Sequence, residues 1–423
     1  MVVFALISQL TYGQNSCASY QYQQEQIQKD PALAQRLLEV TSGMRNTVAQ
    51  EIVSETNNAT IAGMNIIRIP VVVHIVYNTT TQNISDAQVL SQIDVLNQEF
   101  RKKHKDTANI PAIFKSRAAD CYIEFSLATV TPKGDATNGI VRKKTSYNMF
   151  GLDDKVKSSN TGGDDAWDSD KYLNIWVCNT VTGLNGYSSV FGGPKAKDGI
   201  VLRYEAFGTQ GAVVAPTNKG RTAVHELGHW MGLKHIWGDQ TCGNDGIDDT
   251  PAQSAPTRGC PTGTVVSCTN AGVGNMYNNY MDLTNDECTN MFTLGQREKM
   301  RSAFAVGAPH YALLNSTGAS AVPMVQSSSV VTAETSTAVK NVVQLYPNPA
   351  TSAVTLDVTK DESLLGKFVT IHNQIGQQVM QIKIAQTHTV LNISSLKEGM
   401  YFVKVPTQAR TFKLIKSGSS INP

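Results

Sequence analysis

No stretch of this chain is apolar over the ~20 residues that a helical membrane span needs, no C-x-x-C pair occurs, and neither sign of charge prevails. The first absence sets a transmembrane segment aside. The second ranks a cysteine-bound structural zinc site low. The 36 basic and 34 acidic residues leave a formal net charge of +2 and form no basic stripe, so nucleic acid is not an expected partner. Charged residues make up 17% and hydrophobic ones 41%, an ordinary balance for burying a core. At ~150 residues per domain, 423 residues suggest about two to three modules.

Residues 1–10, MVVFALISQL, also lack a positively charged leader, but they are short and apolar and suit the core of a signal peptide. Thr11 and Gly13 have the small-residue spacing of a cut before Gln14, so 1–13 is read as a signal peptide. Residues 14–60 are rich in Gln, Asn, Ser and Thr, with one helix-like stretch near Pro31 to Met44 and no sign of a core; a prosegment fits. An activation cut is expected between about 45 and 66.

From Ile66 the pattern changes. IIRIPVVVHIVY is a continuous β-branched run that predicts a buried strand. Ser85 and Gln88 have capping-box spacing, and Val89, Ile93, Leu96 and Phe100 then form an apolar helical stripe. Strands are predicted over 121–130, 171–180 and 198–204, the last two separated by the Gly-rich GYSSVFGGP. The region 61–307 thus reads as one α/β or α+β domain. Residues 308–340 have linker composition. From 341 to 423, six short strands separated by turn residues predict a small β-sandwich.

Seven cysteines occur, and Cys242, Cys260, Cys268 and Cys288 fall within one short region. In an exported chain that density reads as disulfides, with three pairings open to these four.

The chemistry concentrates in His225-Glu226-Leu227-Gly228-His229-Trp230-Met231-Gly232-Leu233-Lys234-His235. On a helix, His225 and His229 share one face, one turn apart, and two imidazole nitrogens at that spacing reach one Zn²⁺ at ~2.0–2.1 Å. Glu226 is placed to take a proton from a water at the metal. Gly232 can adopt the left-handed backbone that ends the helix and brings His235 back as a third ligand. Three protein ligands leave one position open, which marks a catalytic rather than a structural site.

H-E-x-x-H-x-x-G-x-x-H is the zinc signature of metzincins, and HELGHWMGLKHIWGD resembles the pappalysin family in particular. Asn279-Tyr280-Met281-Asp282 resembles that family's Met-turn, with Met281 as an apolar floor under the zinc histidines. The resemblance covers about 65–307. It implies a secreted zinc endopeptidase with a twisted mixed sheet, Glu226 as general base, and protein or peptide substrates. It also implies the pairings Cys242–Cys268 and Cys260–Cys288, and calcium near the acidic turn of Asp245, Asp248, Asp249 and Thr250. Asp286 is expected at the base of the S1′ pocket, favouring Arg or Lys after the cut. Many metzincins carry Tyr two residues after the Met-turn methionine; here Leu283 stands there, and no tyrosine helper is expected. The strand at 198–204, with the preceding Gly192-Gly193 loop, is expected to rim the cleft and pair with extended substrate.

Cys17 is expected to remain unpaired and to occupy the open zinc position as a cysteine switch, against the alternative of a bridge to Cys121 or Cys178. The two latter thiols are read as either buried and free or as a third bridge. Residues 341–423, opening on Leu345-Tyr346-Pro347-Asn348-Pro349-Ala350, resemble the sorting domain of type IX secretion substrates; this implies export across an outer membrane by that machinery, with release or surface attachment. A monomer is expected. The competing reading is a non-catalytic surface adhesin with a protease-like fold; the intact Glu226 and three histidines oppose it.

Overall fold

The computed structural model describes residues 16–40, 65–319, 344–346, 350–358, 364–373, 377–405 and 411–416. The expected signal peptide at 1–13, most of the region expected to hold the activation cut, and 320–340 of the expected linker lie outside them. The described residues form two units, one before and one after that linker region.

The first unit opens with β1 (Ser16–Cys17) and α1 (Ser19–Lys29). The eleven-residue β2 (Ile67–Tyr77) follows, then α2 (Asp86–Glu99). Strands β3 (Ile123–Leu127), β4 (Ile140–Lys144), β5 (Leu173–Cys178), β6 (Leu184–Ser188) and β7 (Ile200–Arg203) complete a seven-stranded mixed sheet. Helices α3 (Arg221–Trp230) and α4 (Leu294–Ser302) come next. The sheet order is β1-β6-β7-β5-β2-β3, with β4 also paired to β2. Every pairing is parallel except β6 with β7. The β-branched run of β2 is buried because strands flank it on both sides and both its faces are covered.

Alternate residues of the sheet feed two cores. Val73, Ile75, Ile175, Val177, Ile200 and Leu202 meet the apolar stripes of α2 and α3. Val76, Trp176, Cys178, Tyr187 and Val201 meet Ala18, Tyr22 and Leu33 of the N-terminal segment. The stripe expected on α2 is buried. Ser85 caps that helix by accepting from the Gln88 N–H at 3.2 Å. The Gln88 side chain does not complete the capping box; it donates to the carbonyls of Tyr204 and Phe207 and holds the loop before α3.

Three expectations need correction. Residues 14–60 were expected to hold no core, yet Ala18, Tyr22 and Leu33 are buried; α1 is too polar in sequence to signal itself. The linker expected at 308–340 starts later, because Leu313 is buried and His310 stacks on Trp230 with ring centroids 3.9 Å apart. Two side chains fasten a segment whose average composition is that of a linker. Third, 198–204 is not the cleft edge. Strand β7 lies between β5 and β6, and the outer edge of β6 pairs with β1.

The second unit holds two antiparallel sheets, β11-β10-β13-β14 and β12-β9-β8. Their strands are β8 (Gln344–Tyr346), β9 (Ala353–Asp357), β10 (Phe368–His372), β11 (Gln378–Lys383), β12 (His388–Asn392), β13 (Gly399–Lys404) and β14 (Thr411–Lys416). Val354, Leu356, Val369, Ile371, Leu391, Val403 and Leu414 bury one shared core, as expected of a small sandwich. Among the described residues, no helix is long and apolar enough to cross a membrane.

Candidate metal centre and catalytic cleft

Helix α3 carries His225, Glu226 and His229, and stops one residue after His229. Gly232 has φ +88°, the left-handed turn read from the sequence, and the chain doubles back to present His235. The three Nε2 atoms lie 3.1–3.3 Å from one another. Each Nδ1 is engaged on the far side of its ring. His225 donates to the Tyr280 carbonyl at 2.6 Å, His229 to the Leu233 carbonyl at 2.9 Å, and His235 to Asp239 Oδ1 at 2.5 Å. Those partners fix the Nδ1–H tautomer and aim three Nε2 lone pairs at one point. Burial drives His225 and His235 down to about 3, and His229 also well down. Three neutral imidazoles converging without a proton between them are the donor set a Zn²⁺ ion takes. His225, His229 and His235 therefore fit the group the motif implies.

Met281 is buried, with its sulfur against Gly228 of the helix that carries His225 and His229. It rests on Gly228, where an added methyl group would overlap its sulfur. We predict that Gly228→Ala costs about 1–3 kcal/mol of stability through overpacking and lowers the metal bound per chain. Thermal unfolding and metal analysis of the purified variant check this.

Glu226 is fully buried, and burial raises its carboxyl to about 7. Its Oε1 has no hydrogen-bond partner, while Oε2 accepts from Ser19 Oγ at 2.7 Å. Ser19 in turn accepts from the Ser188 N–H of β6 at 2.8 Å. Cys17 Sγ lies 3.6 Å from the same Oε2, and its sulfur and the three Nε2 atoms all fall within 4.8 Å of one another. Cys17 is thus at the metal centre and not bridged to Cys121 or Cys178. Those two are free and buried, in the two different cores of the sheet.

Sequence reading missed Ser19, Asp239 as the partner of His235, and strand β6. Nothing marks Ser19 in the sequence. Strand β6 was hidden by Gly186, which breaks strand propensity. The glycine is there because a Cβ would meet Leu202 at 2.9 Å and Glu226 Cγ at 3.0 Å; it lets β6 lie directly against the Glu226 side chain.

A cleft of about 520 Å³ opens on one side of His229, between Gln23 and Gln24 of α1 and Phe191, Gly232 and Asp239. A smaller one of about 40 Å³ lies on the Glu226 side, bordered by Cys17, Asn185, Thr217, Leu283 and Asp286. Asp286 is buried there, and burial lifts its carboxyl to about 6. Its Oδ2 accepts from the Lys219 N–H at 2.7 Å and the Arg221 N–H at 3.3 Å. It therefore caps α3, whose own N-cap, Gly220, offers no side chain.

The disulfides are Cys242–Cys268 and Cys260–Cys288, closing loops of 26 and 28 residues. By loop entropy each contributes about 3.5 kcal/mol, and the second fastens Cys288, two residues from Asp286. In the acidic turn, Thr250 Oγ1 donates to Asp245 at 2.9 Å, and the Asp249 Oδ2 accepts from the Gly295 N–H at 2.9 Å. The other Asp249 oxygen is buried without a partner, and Asp248 is exposed.

Residues 156–305 match the peptidase family described as Pregnancy-associated plasma protein-A, and 344–417 match a secretion system C-terminal sorting domain. An extracellular metalloprotease of Pyricularia oryzae is 28% identical over 286 residues, covering 65% of this chain and 87% of that protein. One from Arthroderma gypseum is 41% identical over 113 residues, and the chain spans only 37% of its length. Among solved structures, promirolysin of Tannerella forsythia is 42% identical with TM-score 0.64, over 71% of this chain and 97% of that one. Mirolysin in complex with a small compound is 48% identical with TM-score 0.58, over 59% and 97%. The chain belongs to the pappalysin family of metzincin metalloendopeptidases and carries a C-terminal sorting domain for type IX secretion, which places it outside the cell or on its surface.

Proposed function

We propose that this secreted metalloprotease cuts proteins with zinc held by His225, His229 and His235 and with Glu226 as general base, and that residues 16–40 keep it latent. The observation that carries the reading is the convergence of three neutral Nε2 atoms beside a buried carboxylate whose Oε1 has no hydrogen-bond partner. The chemistry zinc supplies when bound is Lewis acidity, which acidifies water and polarises the substrate carbonyl. Glu226 takes the proton of the attacking water and then passes it to the leaving amine. Extended substrate adds to the outer edge of β6.

That edge is where β1 lies in the latent chain. Cys17 stands at the position a water needs, and Ser19 occupies the oxygen that takes the proton. A second copy of these groups is not required; removal of the segment frees the edge, the metal and the base together.

Asp286, on the Glu226 side of the centre, gives the enzyme its preference for Arg or Lys just after the cut. Asp286→Asn keeps an oxygen for the α3 cap but loses the charge, so the variant is predicted to lose the basic preference while staying folded. In the parent enzyme the preference fades below pH about 6, where the carboxyl gains its proton. Cleavage-site profiling by mass spectrometry at pH 5 and 8 checks both; an unchanged profile removes Asp286 from the pocket.

The same reading gives one structural Ca²⁺ to Asp245, Asp248, Asp249 and Thr250. Burial holds the Asp245 carboxyl up near 6 and leaves one Asp249 oxygen unpartnered, both of which a divalent cation would relieve. Calcium is predicted to raise the melting temperature of the zinc-loaded protein. No shift at millimolar calcium rejects the site.

A further inference from the structure

Tyr22 is one of the points at which the N-terminal segment enters the protein, and it does so far more specifically than a packing residue needs. Its ring is 2% exposed, whereas Tyr20 on the same helix is 43% exposed. Its hydroxyl reaches both oxygens of Asp154, at 3.0 and 2.8 Å. The Lys157 ammonium stands 5.1 Å from its ring centroid, and also 4.9 Å from that of Tyr187 and 5.5 Å from that of Trp176. The Tyr22 and Tyr187 rings lie 4.9 Å apart. Asp154 is itself buried and paired with Lys157 at 3.2 Å and Lys197 at 2.9 Å. Although burial pushes against it, Lys157, Lys197 and Tyr22 hold the Asp154 carboxyl below its ordinary value. The Tyr187 hydroxyl, also fully buried, has no hydrogen-bond partner among the described residues.

Three buried groups of the sheet and its 150s loop therefore meet one phenol: a carboxylate acceptor, an ammonium over the ring face and the Tyr187 ring, while Trp176 lies against the same ammonium. Leucine or phenylalanine would fill the volume but leave Asp154 with its two lysines alone, short of the hydroxyl that reaches both of its oxygens. We propose that Asp154, Lys157, Trp176 and Tyr187 form a binding site for a tyrosine side chain, filled by Tyr22 in the intact chain and open to a tyrosine of a peptide substrate once residues 16–40 leave. This rests on the latency reading for its second half only; the first half concerns how the segment is attached. The site is separate from the metal centre, and Tyr187 connects the two because it belongs to β6, the strand whose neighbour Gly186 lies against Glu226.

The test uses the full-length chain and the rate at which Cys17 reacts with a thiol reagent under native conditions. Cys121 and Cys178 are buried and the other four cysteines are paired, so Cys17, half-buried at the metal centre, is the thiol that reacts, and its rate rises as the segment detaches. Tyr22→Phe, which removes only the hydroxyl, speeds modification about tenfold, the worth of a hydrogen bond to a charged acceptor. In an Asp154→Asn background the same change has little further effect. With Tyr22→Ala the rate rises about 100-fold, and p-cresol slows it again more than toluene does. A Tyr22→Phe rate equal to that of the parent, or p-cresol no better than toluene, overturns the site. If Asp154→Asn does not fold, the p-cresol comparison still decides. The latency reading fails on a different result, namely a Cys17→Ala chain that stays inactive, so the two failures cannot be confused.

Discussion

Replacing Glu226 by Ala lowers kcat/KM of the activated enzyme on a peptide by about 10,000-fold, at the upper end of what a general acid–base group contributes. The loss falls on kcat, because Glu226 is not needed to hold the three histidines: their Nδ1 atoms are fixed by Tyr280, Leu233 and Asp239. Bound zinc per chain is therefore unchanged, and stability does not fall, since the fully buried carboxylate is replaced by an apolar group. Glu226→Gln behaves alike, which separates the proton-transfer role from the space the side chain fills. Steady-state kinetics with metal analysis on the same samples check the pair. Activity within tenfold of the parent would mean that another group takes the proton.

The second large effect is on latency. Full-length Cys17→Ala cleaves a fluorogenic peptide at least about 100-fold faster than the parent chain before any processing, because the latent population is no longer held at the metal. Ser19→Ala gives a smaller rise, of about tenfold, since it removes one hydrogen bond to Glu226 Oε2 but leaves Cys17 in place beside that oxygen. The measurement is initial rate against time, with gel analysis to show that the chain is still intact.

The metal centre was legible in the sequence because its geometry is local. Helical spacing fixes His225 against His229, and the left-handed Gly232 returns His235 within six residues. The second unit was legible because its strands alternate and are separated by turn residues. Apart from Asp239, four residues from His235, the missed side chains of the site depend on contacts across long separations. Ser19 meets Glu226 across 207 residues, and Tyr22 meets Asp154 across 132; no local pattern encodes either. Strand β6 shows the converse failure. Gly186 reads as a turn residue, but it sits in a strand because Glu226 leaves no room for a side chain. Strand β6 also displaces the expected cleft rim, because it lies outside β7 in the sheet. His310 and Leu313 were concealed by averaging, since two anchors do not alter the composition of a linker-like segment.

The central claim is that the chain hydrolyses peptide bonds through Glu226 and zinc. Its most direct test is digestion of a denatured proteome by the activated, zinc-loaded enzyme and by its Glu226→Ala counterpart, each with and without a zinc chelator, with mass spectrometry of the new termini. The account predicts cuts only where Glu226 and zinc are both present, with Arg or Lys following the cut. An activated, zinc-loaded sample that makes no cut absent from the variant would contradict it, and a non-catalytic adhesin would then describe the protein better.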